Sequence, residues 1–172
     1  FAFIAKAQDV TAIWDFQHNV PEGINTATNF QGKVGDITST VDGILLHVDA
    51  TNGKLKGRDT DAQFNTGTIL QVPVKSAKDI VTVTSYPGYH NYTIGGVAAT
   101  EDATDHKATT AEVAKGYVEV VATGGCYLYN VKVVQVSAIQ EKALYSTDFT
   151  NWKEIDRSKA TNEVVNVKTL YS

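Results

Sequence analysis

A tyrosine-rich segment is the part of the chain whose residue types best suit chemistry with a ligand. Three of the eight tyrosines, Tyr86, Tyr89 and Tyr92, lie beside His90 and around the turn signal Pro87-Gly88. A tyrosine presents a flat apolar face and a hydroxyl, which suit a sugar that is apolar on its ring faces and polar at its edges. The segment predicts sugar stacking on the tyrosines with His90 at the sugar edge. The alternative is that the tyrosines cap a hydrophobic core.

A second group of polar side chains precedes this segment. Arg58, Asp61 and Gln63 place a guanidinium, a carboxylate and an amide just before an apolar run. Such groups can fork onto sugar hydroxyls, and arginine matches a uronate carboxylate bidentately. We therefore predict that these three residues support the tyrosines, against the alternative of a solvated turn with local capping.

Metal binding and catalysis receive weaker support from the sequence. Asp102 and Asp105 lie in an acidic segment, residues 101–106, that is expected to form a charged loop and that could bind calcium through its oxygens. No cofactor is otherwise expected. The sequence contains no nucleophile elbow, phosphate-binding glycine loop or zinc-protease motif. The lone Cys126 is expected to be a buried small hydrophobe rather than a nucleophile.

The elements that must position these residues are predicted to be strands. Short β-branched or aromatic runs alternate with turn residues, and helical periodicity is nearly absent, which predicts an all-β, antiparallel β-sandwich of jelly-roll type. Pro73 is expected to end a strand, bulge it or lie on an edge. A short helical stretch is expected at residues 109–115. The predicted strands are residues 11–16, 43–48, 68–74, 80–85, 92–96, 117–122, 127–136 and 164–170.

Length and charge limit the domain count and the partners. The 172 residues suit one domain, and the net charge of −4 with scattered cations argues against binding to nucleic acid.

The first residues of the sequence bear on export. Residues 1–7 resemble the end of a secretory signal, with a first strand as the alternative, and no other segment approaches the roughly 20 apolar residues of a membrane span. We expect an exported protein without a membrane partner, in which residues 8–136 form the sandwich. Residues 137–172 are expected to be a terminal strand or a joint to a missing catalytic domain.

Six segments of the chain together point to a known family: Trp14-Asp15-Phe16, residues 61–68, Val72-Pro73-Val74, residues 87–96, residues 116–120 and Tyr127-Leu128. They resemble the amino-terminal β-sandwich modules of secreted Bacteroidetes pectinesterases and pectate lyases. The resemblance covers about Val10 to Val136, and residues 144–152 resemble the start of the region that follows in such enzymes. It implies a non-catalytic module that holds an attached enzyme on plant cell-wall polysaccharide, either pectin or a hemicellulose such as xylan.

Three classes of function therefore stay open at this point. A carbohydrate-binding module is favoured by the tyrosine segment and the export signal. A structural or adhesive sandwich predicts inward tyrosines and no groove. A small polysaccharide-active enzyme requires a carboxylate pair or a metal site, for which the sequence gives no separation.

Overall fold

The structure is a computed structural model that describes residues 8–17 and 29–137. These residues form strands and one short helix. In chain order they are β1 (Val10–Asp15), β2 (Asn29–Gln31), β3 (Val34–Thr38), β4 (Leu45–Asp49), β5 (Lys54–Gly57), β6 (Ala62–Asn65), β7 (Ile69–Pro73), β8 (Ile80–Ser85), β9 (Tyr92–Ile94), β10 (Val97–Ala98), β11 (Ala103–Lys107), α1 (Thr110–Lys115), β12 (Tyr117–Ala122) and β13 (Cys126–Gln135).

Two antiparallel sheets pack face to face, which confirms the predicted β-sandwich. The first sheet has the order β11-β8-β13-β6-β5-β2, and β1 pairs with the portion of β13 beyond β6. The second sheet has the order β10-β9-β12-β7-β4-β3. From β6 onward the chain crosses repeatedly between the sheets, as in a jelly roll.

The core lies between the two sheets because apolar side chains alternate along the strands. In β13, Val131 and Val133 are buried whereas Lys132 between them is partly exposed, and β12 shows the same alternation. A strand with this pattern has one dry face and one wet face. The largest fully buried side chains are Trp14, Tyr92, Phe16, Phe64, Ile37, Leu46, Leu55, Leu70, Ile94, Leu128 and Val48.

Several boundaries follow the sequence prediction closely. Strands β8 and β12 have the predicted bounds, Pro73 is the last residue of β7, and the predicted helix is α1. Thr109 caps α1, because its hydroxyl accepts from the Glu112 amide while the Glu112 carboxylate accepts from the Thr109 amide.

The prediction of a charged loop at residues 101–106 was wrong for most of that segment, because strand β11 (Ala103–Lys107) forms there. Its exposed polar residues protect the edge of the first sheet.

The two ends of the described domain adjoin each other. Because β1 pairs antiparallel with β13, Val10 lies opposite Gln135. The Ser137 amide donates to Asp9 Oδ1 at 3.0 Å, and the Ser137 hydroxyl donates to the Gln8 carbonyl. The predicted signal remnant at residues 1–7, the strand at 164–170 and almost all of the joint at 137–172 lie outside the described residues. Among the described residues, no helix is long and apolar enough to cross a membrane.

Candidate functional site

Four tyrosines meet on the outer face of the first sheet, and we call them the tyrosine cluster: Tyr86, Tyr89, Tyr127 and Tyr129. The ring of Tyr86 lies 5.6 Å from that of Tyr89 and 5.9 Å from that of Tyr129, measured between centroids. Tyr127 lies 5.3 Å from Tyr89 and 6.5 Å from Tyr86. Tyr86 and Tyr89 are 46% and 42% exposed, so a ligand in solvent can reach both rings.

Strand geometry explains why these four rings converge. Tyr127 and Tyr129 are two residues apart in β13, so they share the face opposite the buried Cys126 and Leu128. Tyr86 follows β8 directly and extends its ladder, because its amide donates to the Tyr127 carbonyl at 2.8 Å. The cluster therefore lies where β8 ends and β13 begins.

The rings of the cluster pack edge to face. The interplanar angles lie between 62° and 79°. Edge-to-face packing is a favourable aromatic geometry, and it turns neighbouring ring faces in different directions. The cluster is consequently a stepped surface rather than a flat platform.

Four hydrogen bonds hold the loop that carries Tyr89. The Tyr89 amide donates to the Tyr86 carbonyl at 3.0 Å and closes a turn in which Gly88 has a positive φ of 80°. The Cys126 thiol donates to the Tyr89 carbonyl at 2.9 Å. Asp102 Oδ1 accepts from the Gly88 amide at 3.0 Å and lies 2.5 Å from His90 Nε2. Asp102, which directly precedes β11, therefore links the loop that carries Tyr89 to that strand.

The hydrogen bonds of Asp102 are expected to stabilise the fold in a way that depends on acid pH. The hydrogen bonds from His90 and then from the Gly88 amide lower the pKa of Asp102 below its ordinary 3.8. A carboxyl whose folded pKa is depressed stabilises the fold above its unfolded pKa, and this contribution is lost as the pH falls through the folded pKa. We expect Asp102→Asn to lower the urea midpoint at neutral pH, and the difference from wild type to shrink below about pH 3.8. A difference that stays constant across the acid range would contradict this role.

Arg58 borders the cluster on its other side. Its guanidinium lies 4.6 Å from the centroid of the Tyr127 ring, a cation–π contact. Arg58 Nε also lies 3.2 Å from Oδ1 of the buried Asp61, whose Oδ2 accepts from the Thr60 hydroxyl at 2.9 Å. The buried carboxylate thus holds Arg58 in place beside the ring. A shallow groove of about 430 Å³ opens next to it, lined by Lys56, Gly57, Arg58, Asp59 and Thr60.

The carboxylates of Asp61 and Asp102 both influence the phenol of Tyr129. Its pKa is raised, first by loss of water and then by Tyr86, Asp61 and Asp102. Its hydroxyl therefore keeps its proton at neutral pH. It can donate a hydrogen bond to a polar ligand as well as accept one.

The structure brings most of the predicted site residues together. Tyr86 and Tyr89 belong to the cluster, Arg58 contacts it at Tyr127, and Gln63 lies opposite Tyr127 in the β6–β13 ladder. His90 and Asp61 contribute indirectly, because each is engaged by a neighbouring charged residue: His90 by Asp102, and Asp61 by Arg58.

The prediction that Tyr92 stacks on a ligand was wrong. Tyr92 is 1% exposed, and its hydroxyl donates to the Val83 carbonyl at 3.3 Å. Burial raises the pKa of its phenol. Tyr92 and Ile94 alternate inward in β9, so the ring belongs to the core.

Sequence reasoning did not assign Tyr127 and Tyr129 to the site. Their spacing inside a strand whose Cys126 and Leu128 are apolar was a usable signal, because it places both tyrosines on the wet face. What the sequence did not show is that the start of β13 pairs with the end of β8. That pairing brings these two tyrosines to Tyr86.

Metal-ligating side chains do not cluster in the part of the chain that the structure describes. Within residues 8–17 and 29–137, no group of three or more His, Cys, Asp or Glu side chains is placed to hold one. Of the two predicted calcium ligands, Asp102 accepts a hydrogen bond from Gly88 in the loop that carries Tyr89, which we call the tyrosine loop. Asp105 is exposed in β11. Cys126 is buried as predicted, and burial raises the pKa of its thiol to about 11, so it is not an activated nucleophile.

Comparisons with known proteins add no family to this description. The chain matches no protein-family model, no curated protein and no solved structure.

Proposed function

We propose that the protein is a non-catalytic carbohydrate-binding module, and that the tyrosine cluster binds plant cell-wall polysaccharide, either pectin or a hemicellulose. The single observation that supports this best is four surface tyrosines within ring contact, bordered by a guanidinium that a buried carboxylate holds in place. Sugar rings stack on the aromatic faces, while phenol, amide and guanidinium groups exchange hydrogen bonds with the hydroxyls. Export, and attachment to a polysaccharide-degrading enzyme, belong to the same proposal.

The position of the cluster supports a module that works while attached to another domain. The cluster lies at the Cys126 end of β13, whereas the chain enters and leaves the described domain beside Gln135 at the other end. At about 3.3 Å a residue, Tyr129 and Tyr127 lie roughly 20 to 26 Å along the strand from Gln135. A domain joined near Ser137 would therefore be attached at the opposite end of β13 from the cluster.

Replacing Tyr89 with alanine tests the proposal directly. One good stacking residue contributes on the order of 1–2 kcal/mol, so Tyr89→Ala should weaken binding about tenfold. Retention of the whole chain in native gels containing pectin or xylan measures this. The matched control is Tyr117→Ala, which removes a partly exposed tyrosine from the second sheet and should be retained like wild type.

Two results would contradict the proposal. Equal retention of Tyr89→Ala and wild type, with unchanged circular dichroism, would remove the cluster from any binding role and favour a structural or adhesive sandwich. New reducing ends or unsaturated products after incubation of the pure protein with either polysaccharide, with or without calcium, would contradict the non-catalytic assignment.

A further inference from the structure

Charge is sorted between the two sheets. Every lysine that lies in a described strand belongs to the first sheet, whose strand carboxylates are Asp15 and Asp105. The strands of the second sheet carry no lysine or arginine, and their carboxylates are Asp36, Asp49 and Glu119. The lysines of the first sheet are Lys54, Lys56, Lys107 and Lys132.

Strand alternation turns these charges outward. Leu55 is buried between Lys54 and Lys56, so both ammonium groups lie on the outer face of the first sheet, the face that carries the tyrosine cluster. The chain as a whole has a net charge of −4, yet this face is rich in cations. A face of this sign attracts anionic ligands and disfavours cationic ones.

One row of side chains crosses this face in a definite order. Lys56 lies opposite Gln63, Gln63 lies opposite Tyr127, and Tyr127 adjoins Tyr86 through a backbone hydrogen bond. Neighbouring strands are about 4.8 Å apart, which is close to the length of one pyranose ring. A polysaccharide chain that runs across the strands would thus meet an ammonium, an amide and two aromatic rings on successive residues.

The cations at the start of this row are available to a ligand. Lys56 is exposed, and it forms no ion pair with any described residue. Arg58 Nε lies 3.2 Å from Asp61 Oδ1, and the guanidinium carries two further nitrogens that can donate to a ligand. Asp59 is an exposed carboxylate in the same groove, and its charge opposes an anion there.

From these observations we infer that the ligand is an acidic polysaccharide. A uronate carboxylate is bound by Lys56 and Arg58, while a neighbouring sugar stacks on the exposed rings of Tyr86 and Tyr89, with the chain lying across the strands. This inference rests on the proposed function and narrows it, because it separates uronate-rich chains from neutral hemicellulose.

The test compares polygalacturonate with its methyl ester, which has the same backbone without the charge, and includes one neutral and one sulfated polymer as references. Wild-type protein is titrated with polygalacturonate, its fully methyl-esterified form, neutral xylan and dextran sulfate. We expect about tenfold tighter binding to polygalacturonate than to the ester, because the ester cannot form charge-assisted hydrogen bonds. This preference should decrease as salt is raised, since the cations are exposed.

Variants locate the source of that preference. Lys56→Gln should weaken binding to polygalacturonate by up to about fivefold and leave binding to the ester unchanged, as expected for one exposed ion pair. Asp59→Asn should strengthen binding to polygalacturonate. The matched control is Lys78→Gln, which makes the same charge change in the exposed loop before β8, at the far end of the strand from Tyr86, and should behave as wild type.

The possible results distinguish failure of this inference from failure of the carbohydrate-binding function on which it rests. Equal binding of wild type to polygalacturonate and its ester, with Tyr89→Ala weak on both, would overturn the inference and leave the carbohydrate-binding function standing. Dextran sulfate bound as tightly as polygalacturonate, and unaffected by Tyr89→Ala, would show general polyanion attraction and would also overturn it. Failure of wild type to bind any of the four polymers would overturn both.

Discussion

Trp14→Ala is expected to lower the free energy of unfolding by about 3–5 kcal/mol, the range found when a buried tryptophan is truncated. Trp14 is fully buried, and its Nε1 donates to the Ile37 carbonyl at 3.0 Å. Since Trp14 lies in β1 and Ile37 in β3, this hydrogen bond joins the two sheets. The free energy of unfolding of such domains is only about 5–15 kcal/mol, so the substitution would remove a large share of it.

Urea unfolding followed by far-UV circular dichroism measures the effect of Trp14→Ala. Trp14→Phe is the matched control: it keeps most of the apolar ring but leaves the Ile37 carbonyl without its donor. We expect Trp14→Phe to cost about 1–3 kcal/mol, less than alanine. A loss below about 1 kcal/mol for Trp14→Ala would show that the indole is not a principal contact of the core.

The second large effect is expected from Asp79→Ala, at about 3 kcal/mol or more. Asp79 is fully buried in the loop that joins the sheets before β8. Its Oδ2 accepts from the amides of Lys75 and Ser76 at 2.7 and 3.0 Å, and its Oδ1 accepts from the Val136 amide at 2.8 Å. Alanine removes every one of these acceptors and leaves part-buried amide donors unsatisfied.

Asp79→Asn and Asp59→Asn serve as comparisons in the same urea experiment. Asparagine at position 79 keeps one acceptor but presents an NH₂ donor to the remaining backbone amides, so we expect an intermediate loss. Asp59 is exposed, and its replacement should change the unfolding free energy by no more than about 0.5 kcal/mol. If Asp79→Ala and Asp59→Asn shift the midpoint equally, the network around Asp79 contributes no stability of its own.

The elements of the fold that the sequence predicted are those with a strong local pattern. β8 and β12 alternate valine with polar residues and were predicted with their observed bounds. β5, β6 and β11 are short and polar, so their strand conformation depends on neighbouring strands rather than on propensity, and they were not predicted.

The site was predicted only as far as local reasoning reaches. A turn signal at Pro87-Gly88 correctly indicated that Tyr86 and Tyr89 lie outside the core. It could not show that Tyr92 turns inward, because this depends on which sheet β9 joins. Asp102 likewise reaches the tyrosine loop only because β11 pairs with β8, a contact between residues that are distant in sequence.

The route of the chain through β13 has a mechanical consequence. Tension between the chain at Gln8 and the chain at Ser137 would pull apart ends that adjoin each other, so the β1–β13 hydrogen bonds would open one at a time, as in a zipper. If the tyrosine cluster binds a polymer as proposed, tension between that polymer and the chain at Ser137 would instead run along the covalent backbone of β13. That strand is flanked by β8 on one side and by β6 and β1 on the other. Under such a load the hydrogen bonds on both sides of β13 would have to shear together rather than open in turn.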